Sequence, residues 1–400
     1  MFGFVLIYPY NVKWANAFIL ALCVFALFSN SIIEKISRLK ETKGLVWLPI
    51  YFVLLAIGVL YSDDIKYSFS ILERSLVFLG GPLLIATGEH ISKRVFVKAA
   101  WIFILNTTAA ALYCIVKNIF WFRTENVPFS RFFDWEYTYE HLAGFIGLHP
   151  TYFSMMVLIS VYFLIFLPSY RSLGQKILNV LLIGFLVAFL ILLGTKIGVL
   201  ILFLFGNIAL IIYLRKKKKM SLLFGYIFFN ALALTIAFKT HVIYWRFRMA
   251  YETFKNTLNG NEMSDYRILH WKCAAQAIRE KPLFGWGTGD SYVPLDACYR
   301  EMKMDELLGY NAHNQFLETW IKIGFPGVLI LALTLLFPLY VSIRNRHYLF
   351  ISIFSMYFLI ALTECIFSVQ KGIALFSIIS SIYLGHICIT NQVRPKDVLA

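Results

Sequence analysis

The sequence predicts an all-α, polytopic membrane protein built as a single membrane domain, and three observations carry that prediction. The chain has 400 residues, of which 60% are hydrophobic and only 15% are charged. It holds 38 Phe and 23 Tyr, more large aromatics than a soluble core of this size needs. Apolar stretches of about 20 residues recur along the whole length, the span a helix needs to cross a bilayer. The formal net charge of +15 would suit a nucleic-acid partner. Much of it, however, lies in short clusters between apolar stretches, where orientation signals belong, and nucleic-acid binding is set aside on that ground.

About twelve spans follow from the hydropathy pattern, at 2–11, 14–31, 44–61, 71–87, 96–119, 149–167, 177–194, 197–214, 221–238, 315–341, 347–364 and 372–390. The first is short and the fourth opens on charged residues. The N-terminus lacks the charged, apolar and cleavage-site segments of a signal peptide, and FGFVLIYPY is expected to stay as a short first helix. One set of connections (EKISRLKETK, EHISKRVFVK, PSYRSLGQK, RKKKK, SIRNRH and the tail) holds 18 Lys and Arg, against six in the opposite short connections. The positive-inside rule therefore places both termini in the cytoplasm.

Two long connections then face outward, at about 120–148 and 239–314. The second is too long for a structureless linker and is expected to be a small folded subdomain. Within it, SDYRILHWKCAAQAIREKP reads as an amphipathic helix, with Ser264 or Asp265 capping its start and Pro282 following its end. FGWGTGD then reads as a glycine-rich turn. Of six cysteines, Cys273 and Cys298 share this loop. An oxidising compartment permits a disulfide between them, and spacing alone leaves open whether their Cα atoms approach closely enough.

Charged groups near membrane depth are costly and are therefore functional candidates. The outward side collects Asp63, Asp64, Arg74, Lys196, Arg246, Arg248, Arg267, His313, Glu318 and Glu364. The dominance of cations suits an anionic ligand at the membrane surface, because Arg binds phosphate oxygens as a planar fork and Lys as a point charge. Each has a plainer alternative: a snorkelling Lys196, an Arg74 paired with Glu73 or Asp64, an Arg267 on a solvated face, Arg246 and Arg248 packed among interfacial aromatics. His313, in GYNAHNQFLETWIKIG, is the sharpest signal, since an imidazole can take a proton from a hydroxyl and release it again. Asn311 and Asn314 flank it and can orient the ring or a sugar hydroxyl; the plain alternative is that His313 or Asn314 caps the helix. His149, in GLHPTYFS, also opens a span. Gly285, Gly287 and Gly289 are open to two readings, a phosphate-cradling nest or a tight turn. Asp63 and Asp64 make a weak case for a divalent cation, and no metal site is assigned.

SDYRILHWKCAAQAIREKPLFGWGTGD and NAHNQFLETWIKIGFPGVLI, together with the twelve-span layout and the large outward loop before the last three spans, resemble the O-antigen ligase and O-antigen polymerase superfamily of bacterial membrane glycosyltransferases. GLHPTYFS and ALTECIFS resemble weaker family positions. The resemblance implies a GT-C-like fold in the bacterial inner membrane with its active site facing the periplasm. It also implies transfer of a glycan from undecaprenyl diphosphate to an acceptor hydroxyl, with inversion and without metal, nucleotide or other cofactor. The family's base matches His313, and its diphosphate-binding cations match Lys196 and Arg267. Thr195-Lys196 stands where the family commonly has Ser-Arg, which keeps the charge and loses the bidentate geometry. Within the family a ligase acting on lipid A–core is the first expectation, a polymerase extending a glycan the second, and a protein O-oligosaccharyltransferase the third. The rival from another class is a twelve-span transporter or flippase, for which paired repeats and helices broken at the midplane would be the signature.

Overall fold

The computed structural model describes residues 44–86, 93–167, 172–216 and 266–393 as continuous stretches, with isolated positions at 17, 21, 24, 28, 31, 42, 248, 251, 252 and 255. The spans expected at 2–11, 14–31 and 221–238, the first part of the large loop, its Ser264 and Asp265 caps, and Arg246 lie outside those stretches. Among the described residues the chain is helical, without strands. The helices are α1 (Trp47–Val59), α2 (Ile65–Ser75), α3 (Val77–Ala86), α4 (Lys93–Thr124), α5 (Tyr139–Gly144), α6 (Pro150–Phe166), α7 (Leu173–Leu192), α8 (Lys196–Lys216), α9 (Tyr266–Glu280), α10 (Tyr292–Glu301), α11 (Gln315–Arg344), α12 (Tyr348–Ala361) and α13 (Gln370–Val393).

Four stretches are long and apolar enough to cross a membrane: Ile65–Ile85, Lys93–Thr124, Leu173–Leu192 and Gln315–Arg344. Shorter apolar helices accompany them at Trp47–Val59, Pro150–Phe166, Lys196–Ile208 and Tyr348–Ala361. The described part is thus all-helical, with helices of membrane-crossing length, and among the described residues fewer helices reach that length than the twelve expected. The segment expected at 71–87 begins earlier, as α2, because Asp64 caps it: its carboxylate accepts the Tyr67 N–H at 2.8 Å.

The chain divides into two compact units, residues 1–97 with 266–400, and residues 98–265. In the first, α11 packs against α1, α12 and α9, and α13 against α3. Its core is aromatic, with Tyr51, Phe78 and Phe367 in mutual contact and Phe376 against both Phe367 and Tyr357. A polar thread runs through that core. Tyr51 Oη lies 2.9 Å from Thr319 Oγ1, Gln315 Nε2 donates to the same oxygen, and Gln315 Oε1 accepts the Phe367 N–H at 2.6 Å. In the second unit α6 is buried along nearly its whole length, Phe153 packs on Phe189, and Ser154 meets Thr195 at 2.7 Å.

The feature that shapes the first unit is a break in α11. Ile323 and Gly324 leave helical geometry, Gly324 at φ +67°, just ahead of Pro326. The carbonyls of Ile321 and Lys322 lose their helical partners there. The glycine-rich turn replaces them: Trp286 N–H donates to Ile321 O at 2.7 Å and Gly287 N–H to Lys322 O at 3.0 Å. The next two amides are also engaged, Thr288 N–H with Gly58 O and Gly289 N–H with Ser62 Oγ. Of the two readings left open for Gly285–Gly289, the structure therefore supports the tight turn, because four consecutive N–H groups of the segment donate inside the protein. A Cβ at Gly285 would stand 2.6 Å from Ile321 O, so the close approach needs glycine.

The same geometry makes Gly324 sensitive. A Cβ there would overlap the Leu283 carbonyl, on a backbone that L-residues rarely adopt. Gly324→Ala is expected to destabilise the first unit by roughly 2 kcal/mol or more, seen as a lowered melting temperature of the detergent-solubilised protein. Gly206→Ala, at a position open to space, should leave it unchanged.

Candidate active site

The loop from Gly309 to Asn314 enters α11, and its local chemistry explains its shape. Asn314 is the cap: its Oδ1 accepts the Phe316 and Leu317 N–H groups at 2.9 and 3.2 Å, and its Nδ2 donates to Leu362 O at 3.0 Å. Capping thus falls to Asn314 and releases the His313 side chain. Asn311 Oδ1 accepts the His313 N–H at 2.9 Å. One residue earlier, Ala312 N–H donates to Glu318 Oε2 at 3.1 Å. Pinned on both sides, His313 sits at φ +44°, a left-handed conformation that a non-glycine residue adopts at some cost and that clusters at functional sites.

Glu318 is a buried carboxylate with several partners. Ser291 Oγ donates to its Oε1 at 2.9 Å and Lys322 Nζ pairs with the same oxygen at 2.8 Å. Both charged residues are buried. The Lys322 carbonyl is also an acceptor for the glycine turn, so the backbone of the His313 loop and the break in α11 are linked through a single ion pair.

The His313 side chain faces Glu364. Its Nδ1 lies 3.2 Å from Glu364 Oε2, while Arg267 Nη2 donates to Glu364 Oε1 at 3.0 Å. One carboxylate therefore holds an imidazole and a guanidinium together, with His313 and Glu364 only 25% and 13% exposed at the side chain. Arg267 stands in the first turn of α9, its side chain 36% exposed, and reaches Glu364 through Nη2. With Nδ1 on the carboxylate, the other ring nitrogen, Nε2, stays outside this contact.

Behind His313 lies His270, one turn along α9 from Arg267. It is buried, its Nδ1 is 2.6 Å from Tyr299 Oη, and its ring centroid is 4.9 Å from that of His313. Burial pushes the Tyr299 phenol up, so it meets His270 as a neutral hydroxyl. The Cys273–Cys298 disulfide, with Cα atoms 5.6 Å apart, ties the helix of His270 to the helix of Tyr299. The pairing left open by the sequence is thus made.

Arg74 pairs with neither Glu73 nor Asp64. Its guanidinium donates to Ser70 O at 2.9 Å, Ser70 Oγ at 3.1 Å and Ser368 O at 3.1 Å, four residues beyond Glu364. Asp63 and Asp64 are engaged as well, their N–H groups on the Asp290 carboxylate at 2.7 and 2.9 Å and the Asp64 carboxylate on Tyr292 Oη at 3.0 Å. Lys196 is the first residue of α8, in the second unit. His149 caps α6, its Nδ1 accepting the Thr151 N–H at 3.3 Å. Arg248 is exposed. His270, Tyr299 and Tyr310 were not singled out by sequence. The signal for His270 was present in its spacing, three residues after Arg267 and hence on the same helix face.

Residues 150–332 match the family model described as O-Antigen ligase. The chain is 28% identical over 313 residues to the "ComP-specific O-oligosaccharyltransferase" of Acinetobacter baylyi, an alignment covering 76% of this chain and 53% of that protein. It is 34% identical over 89 residues, 22% of each chain, to an uncharacterized protein of Haemophilus influenzae. The chain thus spans about half the length of the Acinetobacter relative and about a fifth of the Haemophilus one.

The buried pair makes a direct test of how the loop is held. Glu318→Ala strands the Lys322 charge and should cost about 3–5 kcal/mol, read as a large fall in melting temperature. Glu318→Leu combined with Lys322→Met should recover only part of that loss, because it removes the second charge but leaves the Ala312 N–H and the Ser291 hydroxyl without their acceptor.

Proposed function

We propose that this membrane protein, whose residues 150–332 match the O-Antigen ligase family model, is a glycosyltransferase that moves a glycan from a lipid diphosphate to an acceptor hydroxyl. The observation that carries the reading is the Glu364 carboxylate, shared between His313 and Arg267. A sugar hydroxyl is a weak nucleophile and gains from a positioned base. A diphosphate leaving group needs little acid assistance when cations neutralise it.

In this reading the acceptor oxygen attacks the anomeric carbon from the face opposite the diphosphate. Its proton passes to His313 Nε2 as the new C–O bond forms. The bond from the anomeric carbon to the diphosphate oxygen breaks, and the diphosphate departs with the electron pair. Glu364 orients the ring through Nδ1 and stabilises the imidazolium that results. Arg267 and Arg74 hold the diphosphate. Lys196 keeps the same proposed role on the resemblance alone. Asn311 and Asn314 act by holding the His313 segment.

The donor is proposed to be an undecaprenyl-diphosphate-linked glycan. The site is proposed to face the periplasm of a bacterial inner membrane, with the termini cytoplasmic and residues 239–314 forming the outward subdomain. The buried Cys273–Cys298 disulfide supports an oxidising side for that subdomain. Lipid A–core as acceptor, the ligase reaction, is the first reading, and chain extension by a polymerase is its neighbour. The similarity to the Acinetobacter protein favours a second reading, an O-oligosaccharyltransferase. Against the transporter reading stands the match of residues 150–332 to the O-Antigen ligase family model.

His313→Ala is expected to abolish glycan transfer while the folded protein accumulates normally; near-normal transfer would remove the histidine from the mechanism. Glu364→Gln, which keeps the shape and loses the charge, should lower turnover by about tenfold or more. The acceptor is read from a deletion strain complemented with either form. Loss of long glycans from lipid A–core with accumulation of lipid-linked polymer marks a ligase. A core capped by one repeat unit marks a polymerase. Unchanged lipopolysaccharide with loss of protein-linked glycan marks an O-oligosaccharyltransferase.

A further inference from the structure

We propose that the ring of Tyr310 is the platform of a sugar subsite beside His313, on which a pyranose of one of the two substrates packs its apolar face. The inference rests on the glycosyltransferase reading above and deepens it. Tyr310 is 50% exposed, although its ring adjoins the buried His270 and the partly buried His313. The ring planes of Tyr310 and His313 differ by 29°, those of Tyr310 and His270 by 24°, and those of His270 and His313 by 33°. The three rings are thus inclined to one another by no more than 33°, and the outermost, Tyr310, is the exposed one.

The platform is held in place from below and along its backbone. His270 is fixed by Tyr299 Oη at 2.6 Å. Gly309, at φ +78°, turns the chain into Tyr310 while its N–H donates to Asp296 Oδ1 at 2.8 Å, and Tyr310 N–H donates to Leu307 O at 3.2 Å. A ring ordered before the ligand arrives loses little entropy on binding it.

The chemistry of that surface fits a sugar better than a phosphate or a fatty chain. An aromatic face carries the negative lobe of its quadrupole. It repels an anion, and it attracts the polarised C–H groups that line one face of a pyranose. Its centroid lies 6.1 Å from that of His313, about the width of one sugar ring. A pyranose on Tyr310 thus brings a hydroxyl, or the anomeric carbon next to it, within reach of the imidazole. The same chemistry can arrive on the acceptor or on the first residue of the donor glycan, and kinetics separate the two.

The test uses the purified full-length protein with an undecaprenyl-diphosphate-linked oligosaccharide as donor and a core oligosaccharide as acceptor, and KM is measured for each. Tyr310→Leu keeps apolar bulk and removes the ring; Tyr310→Phe and Tyr310→Trp keep a ring. The Leu variant is expected to raise one KM by roughly three- to tenfold, the range of one aromatic contact, with kcat within about twofold of wild type. The Phe and Trp variants should stay within about twofold in both. A shift in the acceptor KM assigns the subsite to the acceptor, and a shift in the donor KM assigns it to the donor. The inference is overturned if the Leu variant leaves both KM values unchanged, if it lowers kcat alone, or if the Phe variant loses as much as the Leu variant. A wild-type protein that transfers no glycan to any acceptor takes the underlying reading down as well, an outcome distinct from these.

Discussion

A helix that breaks in apolar surroundings releases carbonyls that have no water to turn to, and the first unit is organised around that debt. Where α11 leaves helical geometry at Ile323 and Gly324, the carbonyls of Ile321 and Lys322 take the N–H groups of Trp286 and Gly287 in place of their own next turn. Unsatisfied backbone groups at such a place cost several kcal/mol each, so the glycine turn and the break hold each other. The turn is the link between α9 and α10, and its position therefore sets where Arg267, His270 and Tyr299 stand relative to the entry of α11. The disulfide between Cys273 and Cys298 adds a covalent tie between the two helices that flank the turn.

From that anchor the site follows in two layers. The inner layer holds backbone: Glu318 and Asn311 take the N–H groups of Ala312 and His313, and Asn314 caps the helix behind them. Their combined effect is to keep His313 in a conformation it would leave if released. The outer layer holds side chains: Glu364 bridges the imidazole and Arg267, and the segment that carries Glu364 is tethered by the Phe367 N–H to Gln315 and by the Ser368 carbonyl to Arg74. An imidazole and a guanidinium on one carboxylate respond together to any displacement of it. That coupling suits the proposed transfer, in which deprotonation of the acceptor and departure of an anion belong to one step.

The membrane class was legible from composition and hydropathy, because burial in lipid demands long apolar helices whatever their partners. The helix of α9, its end before Pro282, the turn of Gly285–Gly289 and the chemical promise of His313 were legible too, since capping, proline and glycine act locally. Individual roles were less so. His313 and Asn314 competed as caps on paper, and only the loop geometry decided for Asn314. Arg74 had carboxylates close in sequence, yet it binds the carbonyl of Ser368, 294 residues away.

What the sequence determined by itself was therefore the class of chemistry on offer: long apolar helices, with cations and one exceptional histidine expected to gather on one side of the membrane. What the tertiary structure decided was the pairing. Glu364 and Arg267 are separated by 97 residues and Glu364 and His313 by 51, and no periodicity or local propensity reports a contact at such range. The free energy of such contacts depends on helices packing from distant parts of the chain, so their geometry exists only once the break in α11 and the glycine turn have met.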